Sequence, residues 1–270
     1  MPELILSAHH RARSLFSALE RSHALVAALF EGGATARLFV DDVAAPQAGV
    51  IVCNSRVLCA GDTSRIDFLA EMAHTFSEEL IPAHRARGND AYLIYASGDA
   101  WNTVLPQLFS KHQLYPGTRQ YYEIVDFAPK PDLALPEGFS MQRITSEFLS
   151  SDVTGLDAVR EEMCSERTSV KDFLAHSFGL CPVHSNEVAG WCMSEYNVGD
   201  RCEIGIATAE KHQRQGIATL TTWFFLAEAY RRGYRHVGWD CWARNVPSVA
   251  TARKAGFTLV EEYPAVVVEL

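Results

Sequence analysis

At 270 residues the chain is long enough for one large domain or two small ones, each with its own core. Hydrophobic residues at 48% and charged residues at 21% exclude a disordered chain, and a net charge of −9 weighs against a surface built to neutralise a nucleic-acid backbone. No apolar run approaches the roughly 18 residues of a membrane span, and Met1–His10 lacks the basic-then-apolar pattern of a secretory leader. The expectation is a cytoplasmic protein whose partners include neither membrane nor nucleic acid. The seven cysteines form no Cys-x-x-Cys pair and no His-Glu-x-x-His motif occurs, which predicts buried, reduced thiols and no metal.

In chain order, Leu15, Phe16, Leu19, Val26, Leu29 and Phe30 fall at helical spacing between Ser7 and Phe30, with a break near Ser22 and a stop at Gly32-Gly33. Strand-like runs follow at Ala36–Val40, Gly49–Cys53 and Val57–Cys59. Ser64 reads as the cap of a helix carrying Ile66, Leu69, Ala73, Phe76 and Leu80, which Pro82 ends or kinks. Ala91–Tyr95 predicts a strand, Trp101–His112 a helix with an awkward Pro106, and Arg119–Phe127 a long strand.

Ala128–Gly138 holds three prolines and a glycine and is the best linker in the chain. It divides an N-terminal α/β domain, 1–127, from a second domain, 139–270. The second starts afresh with a strand at Phe139–Ile144 and helices over about Glu147–Glu162 and Ser169–Phe178. Three strands joined by tight polar turns follow, Leu180–His184, Val188–Glu195 and Arg201–Thr208. A helix over Gly216–Arg232, a strand at His236–Asp240, a helix at Val246–Ala255 and strands at Phe257–Glu262 and Val266–Leu270 complete it. Gly49–Phe127 repeats the outline of Val188–Glu262. A degenerate duplicate and an unrelated α/β domain both remain open, because residue identity between the halves is slight.

Chemistry concentrates in Glu203–Ala218. A strand ends at Ile206-Ala207-Thr208, a polar turn follows, and Gly216 opens a long helix. Such a turn gathers backbone N–H groups at the positive end of a helix dipole, which suits phosphate. Gln213-Arg214-Gln215-Gly216-Ile217-Ala218 resembles the Arg/Gln-x-x-Gly-x-Gly/Ala signature of the GNAT superfamily of acyl-CoA N-acyltransferases, and Asn245-x-x-Ser248 with Lys254-Ala255-Gly256-Phe257 resembles its following helix and strand. The resemblance covers roughly Phe139–Leu270 and implies an α/β (α+β) mixed sheet, tandem if the first half is a duplicate. Acyl-CoA would wedge between strands Arg201–Thr208 and His236–Asp240.

The resemblance further implies that Ile206, Ala207 and Thr208 meet the pantetheine arm and that Gln213, Arg214, Gln215, Gly216, Ile217, Ala218 and Thr219 hold the pyrophosphate. Asn245 and Ser248 would lie at the mouth of the gap. A Cβ at Gly216 would block the close approach of phosphate. Glu203, on the strand that carries the thioester, is the candidate base, or else a strand-end glutamate facing solvent. Many relatives carry a tyrosine where this chain has Ala252, so the group that protonates the leaving thiolate is open. Ser248 and Cys241 stand near as acids or as packing residues. Asp240 is either a receiver of the acceptor amine or the cap of the next helix. Glu161, Glu162 and Glu195 form either an acidic entrance or a solvated face. The implied activity moves acetyl from acetyl-CoA, without metal, to a primary amine of a small molecule. The alternative is a CoA-binding module without catalysis. The first half would complete the acceptor pocket or form the surface of a homodimer.

Overall fold

The computed structural model describes residues 1–270. Its apolar N-terminal run forms a 3-10 segment, Leu6–Phe16, then α1 (Ser17–Ser22) and α2 (Ala24–Phe30). The break falls at His23, whose backbone is extended. Strands β1 (Arg37–Val40), β2 (Ala48–Cys53) and β3 (Arg56–Gly61) lead to α3 (Ile66–Thr75). Ser64 does not cap α3. Its N–H and its hydroxyl each donate to the Asp62 carboxylate at 2.8 Å, closing a turn ahead of the helix. The apolar face of α3 continues through a π turn, Phe76–Leu80, into α4 (Ile81–Arg85). Pro82 directly follows the π turn, whose closing bond runs from Ile81 N–H to the Phe76 carbonyl, and the helical backbone passes through it into α4. β4 (Ala91–Ala96), α5 (Ala100–Leu108) and β5 (Gln113–Val125) follow.

The remaining elements are β6 (Phe139–Arg143), α6 (Ser146–Leu149), α7 (Leu156–Glu166), α8 (Val170–His176), β7 (Gly179–His184), β8 (Glu187–Val188), β9 (Gly190–Val198), β10 (Arg201–Thr208), α9 (Ile217–Arg231), β11 (His236–Trp242), α10 (Val246–Ala255) and β12 (Thr258–Glu269). One helix expected over 147–162 is thus two, parted where Gly155 takes φ +85° ahead of α7. The two strands expected at the C-terminus are one, because β12 runs through Pro264. That proline precedes Ala265, the first residue paired to β4, so it removes no rung of that ladder.

The chain divides into two compact units, Met1–Arg119 with Glu262–Leu270, and Gln120–Glu261. β5 and β12 each begin in one unit and end in the other, and 128–138 lies inside the second. In the first unit β1, β2 and β3 pair antiparallel, β3 runs parallel to β4, and β4 pairs antiparallel with β12. Phe39, Val50, Met72, Phe76, Tyr92 and Trp101 lie at its core. In the second, the β6–β7, β7–β9 and β9–β10 pairs are antiparallel and β10–β11 is parallel. Alternation along β10 sends Cys202 and Ile204 against Phe225 and Leu226 of α9, with Trp239 of β11.

The two units share an order of elements. β2–β3, α3, β4, α5 and β5 follow one another as β9–β10, α9, β11, α10 and β12 do. They part at the turn after the second strand. β3 passes directly into the Asp62 turn, and beyond its last parallel rung Ser97 N–H donates to the Cys59 carbonyl at 2.9 Å. Gly61 N–H reaches the Ser97 hydroxyl at 3.4 Å. The first unit therefore has the topology without a counterpart of the Arg214–Gly216 turn: its own left-handed glycine, Gly61 at φ +91°, leads straight into the Asp62 turn.

At the far end of α9, buried Glu228 accepts from Arg231 at 2.6 Å and Arg232 at 2.8 Å, with Arg143 at 3.3 Å. Burial pushes this carboxyl up, but the arginine hydrogen bonds and charges prevail and hold it at about 2. A folded-state pKa below the ordinary 4.5 gives stability that is complete above that value and lost as pH falls toward 2. Urea midpoints should therefore drop across that acidic window, and Glu228→Gln should lower the neutral-pH midpoint and flatten the drop. Equal slopes for the two proteins would contradict this.

All seven cysteines are free, and Cys164 is exposed rather than buried. Burial raises the thiol pKa of Cys59, Cys181, Cys192 and Cys202. No helix is long and apolar enough to cross a membrane.

Candidate active site

Parallel pairing of β10 with β11 runs from Arg201↔His236 to Ile204↔Trp239 and stops. β10 continues through Gly205, Ile206, Ala207 and Thr208, paired only on its other side, to Met193, Cys192, Trp191 and Gly190 of β9. The backbone groups of these four residues on the β11 side are thus free of the ladder. They form the rim of a gap that opens at Ile204. An unsatisfied strand edge of this kind is a ready partner for an amide-rich ligand.

The turn that follows carries two left-handed residues, Arg214 at φ +60° and Gly216 at φ +80°. Such alternation points successive N–H groups into one concavity. The first helical bond of α9 runs from Leu220 N–H to the Gly216 carbonyl, so the N–H groups of Ile217, Ala218 and Thr219 precede it as helix-terminal donors. Space at the Cβ position of Gly216 is open, with nothing within 4 Å. The positive φ is the conformational reason for glycine here. Gln213 and Gln215 brace the turn, their side-chain amides donating to the Thr208 carbonyl at 3.1 Å and the Lys211 carbonyl at 2.9 Å. His212 is buried edge-on to Phe139 and His184, with ring centroids 5.3 and 5.2 Å away. These contacts fix the loop before any ligand arrives, and the residues present fit a pyrophosphate.

Glu203 is 4% exposed and does not face solvent. Pairing with β9 is irregular between Cys202 and Ile204, where Glu195 and Tyr196 together face the single residue Glu203. The extra residue is on β9, so the alternation of β10 survives and Arg201, Glu203 and Gly205 share the face away from α9. Glu203 Oε1 accepts from Arg201 Nη2 at 2.8 Å, and the same nitrogen donates to the Tyr121 hydroxyl at 3.2 Å. Opposite Glu203 lies Gly238. A Cβ at Gly238 would sit 2.5 Å from the Tyr121 oxygen and 2.8 Å from Glu203 Cγ. Glycine in mid-strand is what clears room for this cluster. Burial and the charge of Glu203 push the Tyr121 phenol up. Burial works against the Arg201 charge, yet Glu203 and Tyr121 leave its pKa above the ordinary value.

A Cβ at Gly205 would meet Glu195 Oε1 at 2.5 Å and Glu162 Oε1 at 3.5 Å. Two of the three acidic residues read from the sequence therefore gather over Gly205, the first residue of β10 without a β11 partner, while Glu161 is exposed. The cap of α10 is Asn245, whose Oδ1 accepts from Ser248 N–H at 3.2 Å, and not Asp240. The Asn245 NH2 group keeps two donors beyond that bond. Ser248 Oγ accepts from Trp239 Nε1 at 3.0 Å, which ties α10 to the last paired rung of β11. Ala252, where relatives place a tyrosine, is fully buried beside Trp239 and Phe257. Cys241 is buried as well.

Arg201, Tyr121 and Gly238 are the members that sequence reading passed over. Their signals were present. Arginine and glutamate two apart on a strand share a face, and a lone glycine inside a strand marks close approach.

Known proteins resemble this chain in sequence and in fold. An uncharacterized N-acetyltransferase of Bacillus subtilis, YdfB, is 29% identical over 227 residues, 84% of this chain and 83% of that protein. A GCN5-related N-acetyltransferase-like protein from Streptococcus suis superposes with a TM-score of 0.69 at 19% identity, over 97% of this chain and 99% of its own. A tandem GNAT protein from the clavulanic acid biosynthesis pathway does so at 0.61 and 12% identity, over 99% and 97%. Residues 13–266 match the sequence profile of the GNAT acetyltransferases, and the chain belongs to that family of acyltransferases.

Proposed function

We propose that this protein moves the acetyl group of acetyl-CoA to a primary amine of a small molecule by direct attack in a ternary complex. The observation that carries this reading is the gap that opens beyond Ile204↔Trp239, with Glu203 one rung below it and the left-handed turn at Arg214–Gly216 above it. The backbone of Ile206, Ala207 and Thr208 would bond the pantetheine amides. The N–H groups from Arg214 to Thr219 would hold the pyrophosphate, with Gln213 and Gln215 as braces. Asn245 would donate to the arm at the mouth of the gap, and Ser248 would fix the wall beside it.

In the chemical step an ammonium must first lose a proton, and Glu203 would take it. The amine nitrogen then bonds to the thioester carbon, the C–S bond breaks, and the second proton leaves the nitrogen for the CoA thiolate or for water. Glu195 and Glu162 near Gly205 favour an acceptor that arrives as a cation. Direct transfer is favoured over an acyl-cysteine because Cys202 faces the opposite side and burial raises its pKa.

Ala252 in the core favours a second reading, a CoA-binding protein without turnover. Release of free CoA thiol from acetyl-CoA across a panel of amines and aminoglycosides separates the two. Acceptor-dependent release at about 1 per second or faster, with an acetylated product by mass spectrometry, is expected. Tight acetyl-CoA binding with no transfer to any acceptor would overturn the proposal.

A further inference from the structure

The Tyr121–Arg201–Glu203 cluster lies on the last paired rungs of β10 and β11, and it is built at some expense to the fold. Two charges and a phenol are buried together, with Arg201 14% and Glu203 5% exposed along their side chains and Tyr121 1% exposed. A glycine is placed in mid-strand to make room. A buried ion pair is weak evidence of stability, since apolar residues of the same volume usually do as well. Its position directly below the gap calls for a different account.

We propose that Arg201 is the positioning residue of this site: pinned by the Tyr121 hydroxyl, it fixes the rotamer of Glu203 and keeps that buried carboxylate ionised as coenzyme and acceptor displace water. This rests on the reading of Glu203 as base. A carboxylate closed off from water tends to take up a proton, and a protonated Glu203 cannot accept one from an ammonium. One guanidinium nitrogen within 2.8 Å of Oε1 opposes that tendency. The hydroxyl of Tyr121 accepts from the same nitrogen at 3.2 Å, and the guanidinium carbon lies 5.8 Å from the Tyr121 ring centroid. The arginine is thereby held from two sides.

Other charged groups face the cluster. Glu123 of β5 pairs with His236 of β11 at 2.8 Å, and Glu195 of β9 and Glu162 of α7 approach the same sheet face at Gly205. Like charges nearby raise the cost of a further carboxylate charge, and Arg201 is the cation bonded directly to Glu203.

The test is the pH profile of kcat/KM with acetyl-CoA and the best acceptor amine. The activity of the native protein should rise through an acid limb as the base ionises. Arg201→Met should move that limb upward by about one to three pH units, the scale of an opposite charge at this distance, with the KM for acetyl-CoA little changed. Arg201→Lys should return the limb most of the way. Tyr121→Phe, a milder change that keeps the ring, should move it upward by less. A uniform fall in rate at every pH, with the limb in place, is what a merely structural role gives and would overturn the proposal. Should Arg201→Met fail to fold, an unmoved limb in folded Tyr121→Phe does the same. Glu203→Gln separates the failures: full activity in that variant removes the base and this proposal with it. A large loss there, with unmoved limbs in the Arg201 and Tyr121 variants, removes this proposal alone.

Discussion

A Gly216→Trp variant is expected to fold and to lose acetyl-CoA. The residue sits at φ +80°, where an L side chain costs about 1–2 kcal/mol, a loss that a protein of this size tolerates. Its Cβ position is open, with no protein atom within 4 Å, so the indole displaces nothing in the free protein. It would instead fill the space in front of the N–H groups that precede the first α9 bond. Each charge-assisted hydrogen bond to phosphate contributes roughly 1.5–3 kcal/mol. Removing two weakens binding about 10²–10⁴-fold. Calorimetry with acetyl-CoA measures the loss, and circular dichroism with a thermal melt confirms that the fold is kept. An unchanged Kd would mean that the turn does not hold the coenzyme.

Glu203→Gln should separate chemistry from binding. The amide keeps the size of the side chain and an oxygen for Arg201, but it cannot take a proton. Loss of a general base lowers turnover by about 10²–10⁴-fold, and coenzyme affinity should stay as it was because the pyrophosphate turn lies on another element. Stability falls too, because the change leaves the buried Arg201 guanidinium without its counter-charge. Breaking a buried pair destabilises by up to about 3–5 kcal/mol, and the retained oxygen acceptor moderates this. Single-turnover rates with saturating acetyl-CoA would show the defect. A native rate would transfer the role of base to another group, with Glu195, at the Cβ position of Gly205, the first to examine.

These experiments bear on different parts of the proposed site, which lies in the second unit, and the first unit differs from the second at the corresponding place. Both units run hairpin, helix, parallel strand, helix and strand, the pattern of a tandem arrangement. In the first, the Ser97 and Cys59 backbones stay bonded past the last parallel rung and an Asx turn leads directly into α3. In the second, the same place holds an opening and a left-handed turn. A shared topology is thus compatible with different turns at this place, since the core rests on strand and helix packing and not on the loop.

The sequence by itself determined the second half of the fold nearly element by element. The 3.6- and two-residue periods, the turn residues and Gly233 set α9, β11 and α10 within a residue or two. The conformation of the turn proposed to hold coenzyme was legible for a physical reason. The proposed role depends on backbone conformation, and the left-handed backbone at Arg214 and Gly216 is dictated locally. Tertiary structure decided what depends on residues far apart in the chain. It placed Glu203 in the interior, because the extra residue of the irregular pairing falls on β9 and not on β10. It brought Tyr121 to Arg201, 80 residues away. It merged two expected strands into β12, because the ladder to β4 begins only after Pro264. It gave the cap of α10 to Asn245 and removed Ser64 from the cap of α3. Side-chain chemistry at the reacting centre is assembled across strands. Which face a glutamate takes and what stands beside it are questions of register, and register is settled only when the strands have paired.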